Sequence, residues 1–284
     1  LVTQDWVGWA GDVVKSASIS AVFAAAGGAI LVFAIRRFRR RWWIPASVVV
    51  VAFGVISIYA NPIVIDPLFN TFTRTEGPLR SDVLSLADKA GVKVGEVYEM
   101  DASRRTTAAN AYVTGIGGTK RVVIYDTLLE EFSPDAVEGV VAHELGHVHY
   151  ADVPHGLLYL LLVTPLGMLA VARVGEAVMR RDATTPVPAV ALAIALVVPV
   201  MTMISNQLSR QVEARADRFS IQLTHDPDGL IEFQRKITMQ NVSDPDPPGW
   251  VSFLLGTHPT AVQRIGQALA LSPDRRDRGS PGGS

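Results

Sequence analysis

The sequence has 284 residues, of which 49% are hydrophobic and only 19% charged, with a formal net charge of −1 and no cysteine. The charged fraction falls short of the about 25% of an ordinary soluble domain, and the near-zero balance supplies no field that would gather nucleic acid. Without cysteine there are no disulfides, no thiolate metal ligands and no cysteine nucleophile, so a bound metal must be held by histidine, carboxylate or carbonyl groups.

Residue 1 is Leu rather than Met, and Leu1 to Val14 carries Asp5 and Asp12 with no basic n-region, so no signal peptide is read there. Two uncharged apolar stretches follow, Ser18–Ile35 and Ile44–Ala60. Each comes close to the ~20 residues that a helix needs to cross a hydrocarbon core. Gly27 and Gly28 in the first suit close helix packing in lipid. The turn between them, Arg36 to Trp43, combines five arginines with two tryptophans, a pairing typical of a membrane surface.

Residues 61–155 are polar and long enough for a small extramembrane domain. Ser81–Ala90 reads as a helix and Val97–Asp101 as a short strand. Asn110–Thr114 and Arg121–Tyr125 alternate around a Gly-rich turn, Gly115 to Lys120, which predicts a hairpin. Ser133 is a helix N-cap with Pro134 at the first helical position, and the helix so started runs to about Tyr150.

Two further apolar stretches, Gly156–Ala172 and Val187–Ile204, flank a loop with Arg173, Arg180 and Arg181. The last stretch carries Pro188 and Pro199, where a kink is expected. Buried core helices of a soluble protein are the plainer reading of such runs, but four of them in one chain of this size fit a bilayer better. Residues 205–224 read as one more helix, broken at Asp226–Gly229, and Leu230–Gln240 as another. Asn241–Gly249 is a Pro/Asp-rich loop, Pro259 to Leu271 a last helix, and Ser272–Ser284 an expected disordered tail. The organisation is thus 1–60, an N-terminal helix and two spans; 61–155, the hairpin and the capped helix; 156–204, two spans; 205–271, a helical C-terminal part; and the tail, 272–284.

The capped helix contains His143-Glu144-Leu145-Gly146-His147, the pattern H-E-x-x-H. Positions i and i+4 share a helix face, so both imidazoles can reach one zinc while Glu144 points beside it toward a water. The metal would acidify that water, and Glu144 would take its proton and pass it to the leaving amine. Catalytic zinc takes three protein ligands and keeps one open position. His149, His155 and His225 read better as surface, interfacial and helix-end residues. The third ligand is assigned to Glu213 in Ser209 to Asp217: two crossings separate it from the histidine pair, which returns it to the same membrane side. Asp217, one turn on, is placed to accept the second ring N–H of a ligand histidine. The competing reading of this stretch is a charge-laced helix with Glu213 paired to Arg210 and Asp217 in solvent.

Together these residues resemble the integral-membrane zinc metallopeptidases of family M48, and specifically the type I CaaX prenyl protease group. HELGH at 143–147, EARAD at 213–217, Asn110-Ala111-Tyr112 with Lys120 to Leu129, and His258-Pro259 with Arg264-Ile265 carry the resemblance. It implies a mainly α, multi-span transmembrane protein with a small α+β, gluzincin-like zinc metallopeptidase domain and one zinc ion per chain. It implies that Asn110 and Tyr112 border the substrate cleft, that His258 stabilises the tetrahedral intermediate, and that Arg264 braces the site through Asp217. It also implies a peptide or membrane-anchored protein as substrate and the lipid bilayer as surroundings, with no nucleic acid partner. The group has seven spans, and this sequence shows four that match its last four, which is consistent with spans upstream of Leu1. The group often has a further histidine where this chain has Asp152.

The positive-inside rule places the Arg36–Arg41 turn in the cytoplasm and the zinc domain outside. The family resemblance places the zinc side in the cytoplasm, of a plasma, inner or endoplasmic-reticulum type membrane, and that assignment is adopted as the expectation. Two other readings stand beside the prenyl-protease one: a stress-type quality-control protease of the same superfamily, and a catalytically inactive membrane scaffold, against which an intact Glu144 speaks.

Overall fold

The structure is a computed structural model, and it describes residues 2–115, 117–182 and 186–272. The expected tail beyond Ser272 lies outside the described residues. The chain forms two compact units. One gathers 5–63 and 154–205, and the other 2–4, 64–153 and 206–272. Residues 64–153 and 206–271, most of the two segments read separately in sequence as 61–155 and 205–271, therefore belong to one unit.

The first unit contains the long helices. Helix α1 spans Trp6–Phe38 and α2 spans Trp43–Ala60, joined by a single 3-10 turn at Arg39–Arg41. The separate N-terminal helix expected before the first span does not exist, because Asp5 caps a helix that starts at once and runs through into the apolar stretch. A π turn follows, and the short helix after it, α3, Asp66–Phe69, belongs to the second unit. Four helices among the described residues are long and apolar enough to cross a membrane: Trp6–Arg41, Trp43–Phe69, Asp152–Arg180 and Pro186–Thr224. No more than 17% of any of their apolar windows is buried within the protein, so Phe23, Phe33, Phe53, Leu161 and Leu196 point outward, as lipid-facing side chains do. The packed exception is a small cluster of Ala34, Trp42, Ala46, Val171, Ala172 and Val190.

The second unit is built on a four-stranded sheet, β1 Phe72–Arg74, β2 Glu96–Met100, β3 Ala111–Thr114 and β4 Arg121–Tyr125, in the order β1-β2-β4-β3. The β3–β4 pair is the antiparallel hairpin expected, with β2 parallel to β4 and β1 antiparallel to β2. Gly115 turns this hairpin with φ 99°, and a Cβ there would sit 2.5 Å from the Thr119 carbonyl oxygen, so only glycine fits. Helix α4, Pro78–Lys89, connects β1 to β2, and α5, Asp126–Glu131, follows β4. Helix α6, Pro134–His149, is capped by Ser133, whose hydroxyl accepts from Ala136 N. Its apolar side, Val140, Val141 and Leu145, packs with Leu86, Val97, Val122 and Ile124 from α4 and the sheet. Each such fully buried side chain stabilises by about 1.5–3 kcal/mol.

Helix α7 spans Asp152–Asp182 and α8 spans Pro186–Thr224. Both differ from the sequence reading. The loop expected around Arg173 and Arg180 is helix to Asp182, and 183–185 lie outside the described residues. The helix expected at 205–224 is the continuation of the fourth span, which passes through Pro199. Asp226 then caps α9, Pro227–Gln240, by accepting from Asp228 N and Gly229 N. Helix α10, Gly249–Leu255, sits where only a loop was expected to end, and α11, Ala261–Leu271, opens on a capping box between Thr260 and Gln263. Leu230, Ile231, Ile221 and Ala268 hold α9, α8 and α11 together.

Candidate metal centre

Helical spacing places His143 and His147 on one face of α6, with Nε2 atoms 3.2 Å apart. Glu213 reaches them from α8. Its Oε2 lies 3.3 Å from His143 Nε2, and its Oε1 lies 3.6 Å from His147 Nε2. Four ligands at about 2.0–2.1 Å from a tetrahedral zinc stand about 3.3 Å from one another. The two imidazole nitrogens and the Glu213 carboxylate oxygens, 3.2–3.6 Å from one another across the residues, thus have the spacing of donors that would share one such ion. Proximity alone also admits Glu144, since one of its carboxylate oxygens and the two imidazoles lie within 4.8 Å of one another. Glu213 is the carboxylate within 4.0 Å of both rings.

Two features bring α6 and α8 this close. A Cβ on Gly146 would stand 3.0 Å from the Phe219 ring, so the glycine of HELGH is where α8 presses on α6. Beside it, the buried Ser220 hydroxyl donates to the Gly139 carbonyl at 2.6 Å. Arg210 does not pair with Glu213: its guanidinium donates to the carbonyls of Ser252 at 2.8 Å and Gly256 at 2.7 Å.

Each histidine is held from behind by a carboxylate. Asp217 is fully buried, and its Oδ1 lies 2.9 Å from His143 Nδ1, although the ring N–H is not aligned on it. Arg264 grips Asp217 from the other side with two nitrogens, Nε at 2.7 Å and Nη2 nearer still. His147 has its own counterpart. Its Nδ1 lies 2.9 Å from Asp152 Oδ2, and Asp152 Oδ1 is paired with Arg215. Sequence reasoning placed Asp217 and Arg264 together but gave no role to Asp152 or Arg215. No helical spacing joins His147 to Asp152. Ala151, at φ 54°, turns the chain between α6 and α7 and brings the aspartate back over the ring. Such carboxylate–histidine pairs fix the ring orientation and tautomer of a metal ligand.

The cleft over this cluster holds about 240 Å³ and is lined by Asn110, Glu144, Glu213, His258 and Arg264 as well as the two histidines. Burial pushes the Glu144 carboxyl above its usual range, against the pull of both imidazoles. His258 is pulled down by partial burial and by Arg264, so it is neutral near pH 7; its Nε2 stands 3.5 Å from Glu213 Oε2 and its Nδ1 2.9 Å from the Thr257 hydroxyl. Burial alone would lower His143, yet the carboxylates of Asp217 and Glu213 outweigh it and push the imidazole up to about 9. Two carboxylates so near two imidazoles call for a cation, a proton or a metal. Tyr112 is not among the cleft residues. Its ring meets Tyr125 edge-on at 6.4 Å and its hydroxyl donates to Asp66 at 3.2 Å, on the sheet face with Met100 and Val123. Burial, then Asp66, raises its pKa. His149, exposed, lies 2.9 Å from the Ala90 carbonyl through Nδ1, away from the cluster.

Residues 73–272 match the pattern of peptidase family M48, and residues 2–71 match the CAAX prenyl protease N-terminal region of five membrane helices. The chain is 31% identical over 277 residues to the uncharacterized metalloprotease YhfN of Bacillus subtilis (strain 168), covering 94% of this chain and 65% of that protein. It is 30% identical over 224 residues to the CAAX prenyl protease 1 homolog of Oryza sativa subsp. japonica, covering 75% of this chain and 52% of the other. It therefore spans between about half and two thirds of the length of these relatives. The fold is that of the crystal structure of S. mikatae Ste24p, with a TM-score of 0.80 over 94% of this chain and 68% of that one, at 24% identity. The metal-ligand geometry, the membrane helices and the match across 73–272 converge, and the chain is an integral membrane protein that belongs to peptidase family M48.

Proposed function

We propose that this protein is a zinc endopeptidase that cleaves peptide or membrane-anchored protein substrates, as the naming of its prenyl-protease relatives implies for them. The observation that carries the reading is the convergence of His143 and His147, Nε2 to Nε2 3.2 Å, with the Glu213 carboxylate, whose Oε2 lies 3.3 Å from the first ring and Oε1 3.6 Å from the second, and Glu144 beside them. Two imidazoles and one carboxylate, with no thiolate available, are a usual catalytic zinc set. Zinc held there supplies a Lewis acid that polarises a carbonyl and acidifies water. Glu144 takes the proton of the attacking water and delivers it to the leaving nitrogen. Thr257 Oγ1 lies 2.9 Å from His258 Nδ1; in the tautomer in which the hydroxyl donates, the ring's proton is on Nε2, where it can meet the oxygen on which negative charge develops. Asn110 stands in the cleft at the start of the edge strand β3, so an extended peptide pairing along Ala111–Thr114 would run past the metal. The role of Tyr112 is then limited to that strand's backbone and to the fixing of its register through Asp66.

Cleavage of a quenched fluorescent peptide library by the detergent-purified protein tests the activity. Farnesylated and plain versions of the same tail peptide separate a prenyl protease from a general membrane quality-control protease. Glu213→Ala is expected to lose both activity and zinc. A Glu213→Ala protein that still carries one zinc per chain rules out the third ligand.

The metal-free protein carries a stability signature of its own. His143 has a folded pKa raised to about 9 from an ordinary 6.5. A raised folded value means that its contribution is complete below about pH 6.5 and is lost as pH rises through about 9. The metal requires the neutral ring, so zinc affinity moves the opposite way and rises over that range. Thermal melts of the chelated protein are expected to fall from pH 6.5 to 9 while those of the zinc-loaded protein hold or rise. Parallel curves would remove His143 from the metal set.

The metal side is assigned to the cytoplasm. The chain has no cysteine, so a single Ser243→Cys on the exposed loop before α10 reports the side directly. Labelling by an impermeant maleimide is expected only after the cells are opened, and labelling of intact cells reverses the assignment.

A further inference from the structure

A second cavity lies within the unit of long helices, at the α1–α2 turn. It holds about 1310 Å³, beyond the ~300–1,000 Å³ of small-molecule sites. Six arginines line it, Arg36, Arg39, Arg40 and Arg41 from the turn and Arg173 and Arg180 from α7, against one acid, Glu176. Glu176 is shared by Arg173 at 4.0 Å and Arg180 at 3.6 Å. Among the described residues, no carboxylate lies within 4.0 Å of the four arginines of the turn. Such a concentration of like charge repels itself unless an anion relieves it.

The rest of the lining decides which anion. Ile44, Leu169 and Met179 form an apolar wall in the same cavity, and Trp42 and Trp43 stand where the apolar windows of α1 and α2 meet the arginine turn, the depth of the headgroup layer. A free inorganic anion gains nothing from an apolar wall, whereas the first methylenes of an acyl chain do. Arg39 itself holds φ 48°, a backbone state that favours glycine, and so keeps an arginine where the turn alone would prefer none.

We propose that this cavity binds the phosphate headgroup of an anionic phospholipid, with the turn arginines on the phosphate and the Ile44–Leu169 wall along the acyl roots. The site lies in the membrane helices and makes no use of the metal centre. Phosphatidylglycerol is titrated into the detergent-solubilised full chain, with retained lipid counted by native mass spectrometry and melting temperature read alongside. Phosphatidylglycerol, and not phosphatidylcholine, is expected to be retained and to raise the melting temperature. Each interfacial arginine is worth about fivefold in affinity, so Arg39→Gln, Arg40→Gln and Arg41→Gln together are expected to weaken retention about a hundredfold. Lys89→Gln, Lys93→Gln and Arg235→Gln, an equal charge change in the other unit, are expected to leave it unchanged. Inorganic phosphate at equal concentration distinguishes the sources: a melting shift with phosphate that equals that with phosphatidylglycerol overturns the lipid site in favour of a simple anion site. Equal retention of the two lipids, or equal retention by wild type and the triple variant, also overturns the proposal. If the triple variant does not fold, the single change Arg40→Gln, expected at about fivefold, carries the same test.

Discussion

Glu144→Gln is expected to lower peptide hydrolysis by about 10²–10⁴-fold while the zinc content stays at the wild-type value. The two halves of this result have separate causes. The amide has the shape of the carboxyl but cannot accept the water's proton, so the step that generates the nucleophile is lost. The donor atoms of His143, His147 and Glu213 do not pass through Glu144, so the metal is kept. Burial already disfavours a charge at this position, which makes the neutral isostere easy to accommodate and leaves the fold intact. Zinc analysis and melting temperature, read beside the rate, therefore isolate a chemical defect from a structural one. A Glu144→Gln protein with wild-type turnover would leave the scaffold reading, with a structural metal, as the better account.

The parts of the site that the sequence made legible are those governed by helix geometry. H-E-x-x-H needs only the 3.6-residue period to bring His143 and His147 together, and Ser133-Pro134 marks where that helix begins. Glu213 and Asp217 are one turn apart on α8, so finding one found the other. What the sequence hid depends on chain reversals and on contacts between elements. Asp152 lies five residues beyond His147, a spacing with no meaning on a helix, and only the left-handed turn at Ala151 gives it one. The fourth span and the third-ligand helix read as two elements because composition changes sharply near Ile204. That change reflects a passage from apolar to polar surroundings, not the end of the backbone hydrogen-bond ladder, which continues to Thr224. Tyr112 was grouped with Asn110 by the family resemblance, which has both residues of the N-A-Y strand border the cleft, whereas here the Tyr112 ring packs against Tyr125 on the sheet face. Asn110 precedes β3, and the pleat governs only from Ala111 onward.

The two carboxylates behind the histidines are expected to part company when removed. Asp217→Ala strips the partner from Arg264, whose side chain is 12% exposed, while Asp217 itself is fully buried. Breaking a buried pair from one side costs about 3–5 kcal/mol because the remaining charge has neither water nor counterion. Gln234, with its amide turned so that the oxygen faces Arg264 at 3.0 Å, offers a dipole but no charge. Asp152→Ala leaves a different remnant. Arg215 is 37% exposed and stacks 4.3 Å over the Tyr150 ring, so it keeps both solvent and an aromatic face. Its loss of a partner costs about 1 kcal/mol or less. Zinc affinity is expected to fall about 10–100-fold in both variants, since each frees one ligand imidazole to rotate and to take the wrong tautomer. A chelator-competition titration reads the affinity and a melt of the metal-free protein reads the stability. Asp152→Asn, which keeps an oxygen facing His147 Nδ1 but not the charge, is expected to fall between wild type and Asp152→Ala in affinity. If Asp152→Ala binds zinc as tightly as wild type, the aspartate serves Arg215 and the α6–α7 turn rather than the metal, and His147 is oriented by its helix alone.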